Sequence, residues 1–372
     1  MKHVLFLKQL ILPKGGLEKY AKRIVHAFLD HGCKVSIVSS TPNIAEFAGA
    51  KVHYLPLNGF LNFQKIKSWD LETQAFVKKY PHDIVFTLDR ITSATHIRAG
   101  NGVHAAYLKQ RQEGLLKRLS FSVNPLHRTL LRFEKEGFQS PNVRKIIVNS
   151  HMVKEELRAF YDVPAERVAV HHNGMEWNEM SSDFSQWKQT RKALQNELGL
   201  EPGCPIFLFA GHNFRRKGLD YLLEGFAQLR EGHLLVIGKE NNLHRYRSFA
   251  NRLGIKDRVT YLGSQSTMRQ FYALADVLVV PSLYDPFANV TVEALGMGVY
   301  VVSSEFNGGK EVLDKESGCV IEDLFDPESV AKALEQSLFF PKTQQSAEEI
   351  RSKISFMDFS VSLPRLVEEC LD

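Results

Sequence analysis

The 372-residue chain has no apolar run near the length of about 18 residues that a membrane-spanning helix requires. Its N-terminal run, MKHVLFLKQLILPKGG, is broken by Lys8 and Gln9, and no small-residue cleavage site follows. It therefore reads as a buried first strand and not as an export signal. Cysteine is scarce: Cys33, Cys204, Cys319 and Cys370 lie far apart, with no pair at metal-ligand or redox spacing. Free thiols in a reducing compartment are expected. No G-x-G-x-x-G follows a strand, which weighs against a dinucleotide-dependent oxidoreductase. Neither charge sign dominates, because 47 Lys and Arg against 42 Asp and Glu leave a net charge of only +5. With no recognisable RNA-binding motif, that excess does not argue for nucleic acid. These absences predict a cytoplasmic protein, at most peripheral on a membrane. The length predicts two or three domains, each with its own core.

The chain opens with a strand at His3–Lys8, a loop holding Pro13, Gly15 and Gly16, a helix over 17–31 and a strand at Lys34–Val38. That is a βαβ unit. Two glycines before a helix suit a close approach to phosphate or sugar, but equally a plain tight turn. Further strands are expected at Lys51–Leu55, Asp83–Phe86 and His96–Ala99, with a helix around Trp69–Tyr80. The turn Gly100-Asn101-Gly102 delivers His104 to the carboxyl edge of a strand, where open α/β sheets bind ligands. The stretch 107–137 holds seven cations against three acids, interleaved with leucine and phenylalanine. It fits a surface resting on anionic lipid or a helix pair with a solvated basic face. Ser150 is a candidate N-cap. An interdomain hinge is placed near Asn173.

The second half repeats this logic. Strand Ile206–Ala210 runs into GHNFRRKG, where Arg215, Arg216 and Lys217 repel one another and so invite an anion. The stretch Val279–Val302 reads as strand, polar turn, helix and strand, with Asp285 at the tip of the turn and Glu293 in the helix that opens near Asn289. The N-terminus of that helix would suit phosphate. The carboxylates would suit hydroxyl groups, being acceptors for donors.

GHNFRRKGLDYLLEGF resembles the G-x-x-x-x-[RK]-K-G segment of the family 4 glycosyltransferases, and YLGSQSTMRQFYALADVLVVPSLYDPFANVTVEALGMGVYVV resembles the segment holding their E-x7-E motif. Gly15-Gly16, His172-Asn173-Gly174 and SGCVI match in order, so the resemblance covers nearly the whole chain. It is similar to the branch that includes the lipopolysaccharide-core glucosyltransferase acting on inner-core heptose. The resemblance implies an α/β GT-B fold: two Rossmann-like domains facing across a cleft, with the C-terminal helix crossing back to the first. The implied domains are 1–172 for the acceptor, 173–352 for the nucleotide-sugar, and 353–372 as the returning helix. It implies a retaining, metal-independent transfer of a hexose, glucose first, from a UDP-sugar to a lipopolysaccharide-core or similar glycolipid. The nucleotide-sugar is a co-substrate, and no further cofactor is implied.

Within that resemblance, His104, Asp285, Arg216 and Lys217 would be catalytic. Donor-binding residues would be Gly15, Gly16, Arg216, Lys217, Asp285, Phe287, Ala288, Asn289, Val290 and Glu293. Lys109, Arg111, Lys117, Arg118, Arg128 and Arg132 would meet an anionic membrane surface at the inner membrane. The chain departs from the family at Asp285, where most members carry Glu, which sets the carboxylate back by about 1.5 Å, one C–C bond. Ala288 stands where many members have Gly. An epimerase on the same fold and a non-catalytic glycolipid-binding protein remain as alternatives.

Overall fold

The computed structural model describes residues 1–11, 16–42, 47, 49–111, 121 and 123–372, with residues 16–19 described by their backbone alone. The chain divides into two units, Met1–His172 with Ser360–Asp372, and Asn173–Phe359.

The first unit runs β1 (His3–Leu7), α1 (Gly16–Asp30), β2 (Lys34–Ser39), β3 (Lys51–Tyr54), α2 (Asn62–Lys79), β4 (Ile84–Thr87), β5 (His96–Arg98), α3 (His104–Gln110), α4 (Pro125–Phe138), β6 (Lys145–Val148), α5 (His151–Tyr161) and β7 (Val168–Val170). Its sheet has the order β3-β2-β1-β4-β5-β6-β7, and every pairing is parallel. Strands such as Val4–Leu7 are wholly apolar because a parallel sheet is covered on both faces. Helix α2 starts seven residues earlier than its apolar pattern suggests. The Gln64 side chain turns back to accept the Phe60 and Leu61 N–H groups at 3.0 Å each, which stabilises an entry turn that carries no apolar signal. Ser150 does cap α5, accepting from the Val153 N–H.

The second unit runs α6 (Ser181–Ser185), α7 (Trp187–Glu197), β8 (Ile206–Ala210), α8 (Leu219–Phe226), β9 (His233–Ile237), α9 (Leu243–Arg252), β10 (Val259–Gly263), α10 (Arg269–Leu274), β11 (Val277–Val280), α11 (Asn289–Gly296), β12 (Tyr300–Ser303), β13 (Gly318–Val320), α12 (Pro327–Ser337) and α13 (Gln344–Lys353). Its parallel sheet has the order β10-β9-β8-β11-β12-β13. Alternate residues of β8 feed two cores: Ile206, Leu208 and Ala210 enter one, and Phe207 and Phe209 enter the other.

The last helix, α14 (Phe359–Leu371), crosses back and groups almost wholly with the first unit. Glu369 pairs with Lys145 of β6 at 2.6 Å, Lys2 bonds the Leu371 carbonyl, and Cys370 lies beside Tyr20 of α1. Near the two crossings the chain pairs with itself, Met175 bonding Met357 and Phe359 at 3.0 Å each. In each unit the strand order reverses once, between β1 and β4 and between β8 and β11. Loops at the carboxyl ends of those strands flank a switch point, where doubly wound sheets bind ligands. No helix among the described residues is long and apolar enough to cross a membrane.

Candidate functional site

At the switch point of the second unit, the loop after β8 and the loop after β11 are zipped together. The Leu283 N–H donates to the Arg216 carbonyl at 2.9 Å, and the Arg216 guanidinium donates to the Tyr284 carbonyl at 3.0 Å. Gly218 permits this approach. Its φ is +77°, and a Cβ there would lie 1.8 Å from the Pro281 carbonyl oxygen, so no other residue fits. Asn213 adopts a left-handed conformation, with φ +57°, and its side chain accepts the Arg216 N–H at 3.2 Å. Phe214, fully buried against Phe209 and Tyr246, anchors the loop to the core. The basic residues are thus mounted on a pinned turn. Arg215 is exposed, while Arg216 and Lys217 are half-buried.

Asp285 is not at the tip of a polar turn, as its sequence surroundings suggest. It is buried at 7% exposure because its backbone continues the sheet edge as a parallel bridge to Asn307. Its N–H donates to Phe306 and its carbonyl accepts from Gly308, each at 2.9 Å. Its carboxylate bonds the Lys217 ammonium directly and lies 3.6 Å from the Arg216 guanidinium. The two cations and the acid therefore form one cluster.

Helix α11 follows. Phe287 and Ala288 are buried in the core, Asn289 is exposed and Val290 half-buried. Asn289 accepts a hydrogen bond from Asn173 at 2.8 Å. The Ala288 N–H, at the N-cap, is already bound to Asn307 Oδ1 at 3.0 Å, so the first turn of the helix offers a ligand its Asn289 and Val290 positions. Glu293 lies one turn further on, half-buried, and accepts from the Tyr272 hydroxyl at 2.7 Å.

In the first unit, His104 opens α3, buried at 9% exposure. Its Nε2 meets His127 Nδ1 at 2.9 Å. Burial, with Arg90, His127 and Arg111 nearby, pushes its pKa down to about 4, so at neutral pH it is an uncharged hydrogen-bonding group. Its backbone N–H donates to the Glu134 carboxylate at 2.6 Å. Glu134, fully buried, also bonds Arg90 at 2.8 Å and the Tyr161 hydroxyl at 2.6 Å. One carboxylate thus caps α3 and ties it to α4 and α5. Gly16 is the first residue of α1, whereas Gly15 lies outside the described residues.

Of the basic stretch, Lys117 and Arg118 also lie outside the described residues. Lys109 and Arg128 are exposed, and Arg132 is exposed but paired with Glu136 at 2.7 Å. Arg111 stacks over Tyr107 and Phe121. Helix α4 buries Thr129, Phe133, Glu134, Gly137 and Phe138. That face serves the core, and the exposed face is the cationic one.

Asn307, Glu134, His127 and Tyr272 escape the sequence reading. Asn307 sits in FNGGKEVL, a loop marked only by glycines, yet its side chain accepts from Ala288 and Gly309 and donates to Ser303, each at 3.0 Å. Glu134 hides among charged neighbours. The signal it did carry is its position: it lies one residue beyond Phe133 on the apolar face of α4.

Two doubly wound parallel sheets, the second with clustered cations and two carboxylates at its switch point, define the class as GT-B, a fold of sugar-transferring enzymes. Sequence profiles agree: Glycosyltransferase Family 4 matches residues 14–177 and Glycosyl transferases group 1 matches residues 204–338. The chain belongs to the family 4 glycosyltransferases, retaining enzymes of the hexosyltransferase type. It is 22% identical over 331 residues to the lipopolysaccharide glucosyltransferase WaaG of Escherichia coli, covering 88% of this chain and 87% of that one. An uncharacterized glycosyltransferase of Methanocaldococcus jannaschii is 29% identical over 199 residues, 52% of this chain. The chain spans only half the length of that archaeal relative. The crystal structure of WaaG superposes with a TM-score of 0.78 at 21% identity over 98% of both chains. Anabaena HepE in complex with UDP gives 0.72 at 18%, over 100% of this chain and 99% of that one.

Proposed function

We propose that the protein transfers a hexose, glucose first, from a UDP-sugar to a glycolipid acceptor of the lipopolysaccharide-core kind, working at the cytoplasmic face of an anionic membrane. The observation that carries the reading is the zipped loop pair of the second unit. It concentrates Arg216 and Lys217 beside the N-terminus of α11 and two carboxylates, within one sheet edge. In this reading the second unit, with the segment 173–352 at its centre, binds the donor, and the segment 1–172 binds the acceptor.

A departing nucleoside diphosphate gains negative charge as the glycosidic bond breaks. Arg216, Lys217 and the first-turn N–H groups of α11 stabilise that charge with groups already in place. Glu293 accepts the ribose hydroxyls. Asp285 has two tasks: it holds the Lys217 ammonium in position, and it faces the hexose hydroxyls. Being one methylene shorter than the family's Glu, it reaches Lys217 from a buried backbone. His104, neutral at pH 7, exchanges hydrogen bonds with hydroxyl groups and carries no charge to the reaction. Retention is consistent with same-face attack, the departing phosphate oxygen taking the acceptor proton. The relatives support the donor and acceptor classes: one is a lipopolysaccharide glucosyltransferase and another was solved with UDP.

The test pairs a thermal-shift screen of UDP-, GDP- and ADP-sugars with a transfer assay. A bound donor raises the melting temperature by mass action, and UDP-glucose is expected to raise it most. Arg216→Ala, at a half-exposed position, is expected to keep its fold and lose about 10²-fold in kcat/KM. Full activity in that variant removes Arg216 from its role. Neither stabilisation nor transfer with any nucleotide-sugar overturns the enzymatic reading.

A further inference from the structure

Glu293 does not stand alone. The phenol that bonds its Oε2 at 2.7 Å belongs to Tyr272, which has no exposed surface. Burial and the adjacent Glu293 charge hold that phenol well above its ordinary pKa, so it stays a donor. A phenylalanine would fill the same core space, as Phe271 does next to it. A buried hydroxyl is costly unless bonded, and this one is bonded to the Glu293 carboxylate.

Tyr272 rides on α10, a helix of only six residues. The carbonyls of Tyr272 and Ala273 near its C-terminus accept from the buried Lys342 Nζ at 2.7 and 3.3 Å, a favourable end for a cation. Lys342 in turn lies over the Trp187 ring at 4.8 Å. The neighbouring Asp276 is bound bidentately by Arg191 at 2.7 and 2.9 Å and also accepts the Ile206 N–H. It serves the start of β8, and its charge also favours the charged form of Lys342, whose pKa burial lowers to about 7. A continuous line of buried contacts therefore runs from Trp187 through Lys342 and α10 to the Glu293 carboxylate.

We propose that Tyr272 is a positioning residue for nucleotide recognition: its hydroxyl sets the orientation in which Glu293 accepts the ribose hydroxyls, and Lys342 holds the helix that carries it. The proposal rests on the reading of Glu293 as the ribose acceptor. A carboxylate accepts two vicinal hydroxyls well only in a narrow range of orientations, because hydrogen bonds weaken steeply with angle. Loss of the phenol removes a contact that orients the carboxylate before the ribose arrives.

The test is calorimetric titration of wild type and Tyr272→Phe with UDP and 2′,3′-dideoxy-UDP, and in parallel with the GDP and ADP pairs. Wild type is expected to prefer a ribonucleotide by about tenfold or more, the worth of hydrogen bonds to a charged acceptor. In Tyr272→Phe that preference is expected to fall below about threefold, with dideoxynucleotide affinity unchanged. Donor KM is expected to rise while kcat at saturation changes little, a split that general loosening of the core does not produce. A wild type without preference in any pair overturns the ribose reading and the proposal with it. A preference retained in Tyr272→Phe overturns the proposal alone, as does equal weakening of both ligands. Should Tyr272→Phe fail to fold, Lys342→Met decides: a reduced preference supports the line of contacts, and an unchanged one overturns it.

Discussion

The Lys217 ammonium is bonded directly to the Asp285 carboxylate, and both side chains are nearly buried, at 12% and 10% exposure. An ion pair so placed is asymmetric in its energetics: the intact pair adds little net stability, but removing one partner strands the other charge.

Lys217→Ala is therefore expected to destabilise the second unit by about 3 kcal/mol, with Arg216 at 3.6 Å compensating only in part. The double variant with Asp285→Ala is expected to recover part of that loss. Denaturant titrations of the two single variants and the double variant give the coupling. Strictly additive losses would show that the pair is not coupled. A drop in transfer activity on Lys217→Ala is thus read together with stability, whereas Arg216→Ala reports on chemistry more cleanly.

Arg216, Lys217, Asp285 and Glu293 stand out in the sequence as candidates because each sits at a set spacing beside an apolar strand or helix. The alternating βα pattern announced both sheets for the same reason. The groups that hold them were not legible. Asn307 reaches Ala288 across 19 residues, and Glu134 reaches His104 across 30. Contacts of that span depend on how strands are ordered in the sheet, which no local period encodes. The burial of Asp285 is a further case. Its sequence neighbours look like a turn, but the β12 side of the sheet supplies a pairing partner in Asn307. Charge counting over 107–137 did not sort the charges by face: Glu134 is inside, and Arg132 is paired with Glu136.

Membrane binding, if it rests on the cationic face of this stretch, is electrostatic. Lys109 and Arg128 are exposed cations on that stretch. Each is expected to contribute about 1 kcal/mol at an anionic surface. Co-sedimentation with phosphatidylglycerol-containing vesicles is expected to weaken roughly fivefold for Lys109→Ala or Arg128→Ala, and for wild type to fall as salt shortens the Debye length. Equal binding to neutral vesicles would refute the electrostatic account.

Three histidines are expected to make the first unit acid-sensitive. His96, His104 and His171 are each held down to about 4 from an ordinary 6.5. Burial is the main cause. Nearby cations add to it: Arg144, Lys145 and Lys2 for His96, Arg90 and Arg111 for His104, and Arg98 for His171. Because the folded values lie below the unfolded one, the unfolded chain takes up protons first as pH falls through 6.5. Stability is present in full above that value and is lost progressively down to about 4. His96, at 4% exposure, contributes the clearest share, roughly 3 kcal/mol across the window. Denaturant midpoints measured from pH 7.5 to 4.5 are expected to decline for wild type and to decline less steeply for His96→Gln, which removes the titrating ring. Over the same range the His104 ring resonances are expected to stay put until below pH 5, since His104 is neutral throughout most of it. An unchanged pH slope in His96→Gln, or a His104 that titrates near 6.5, would place the acid sensitivity elsewhere in the chain.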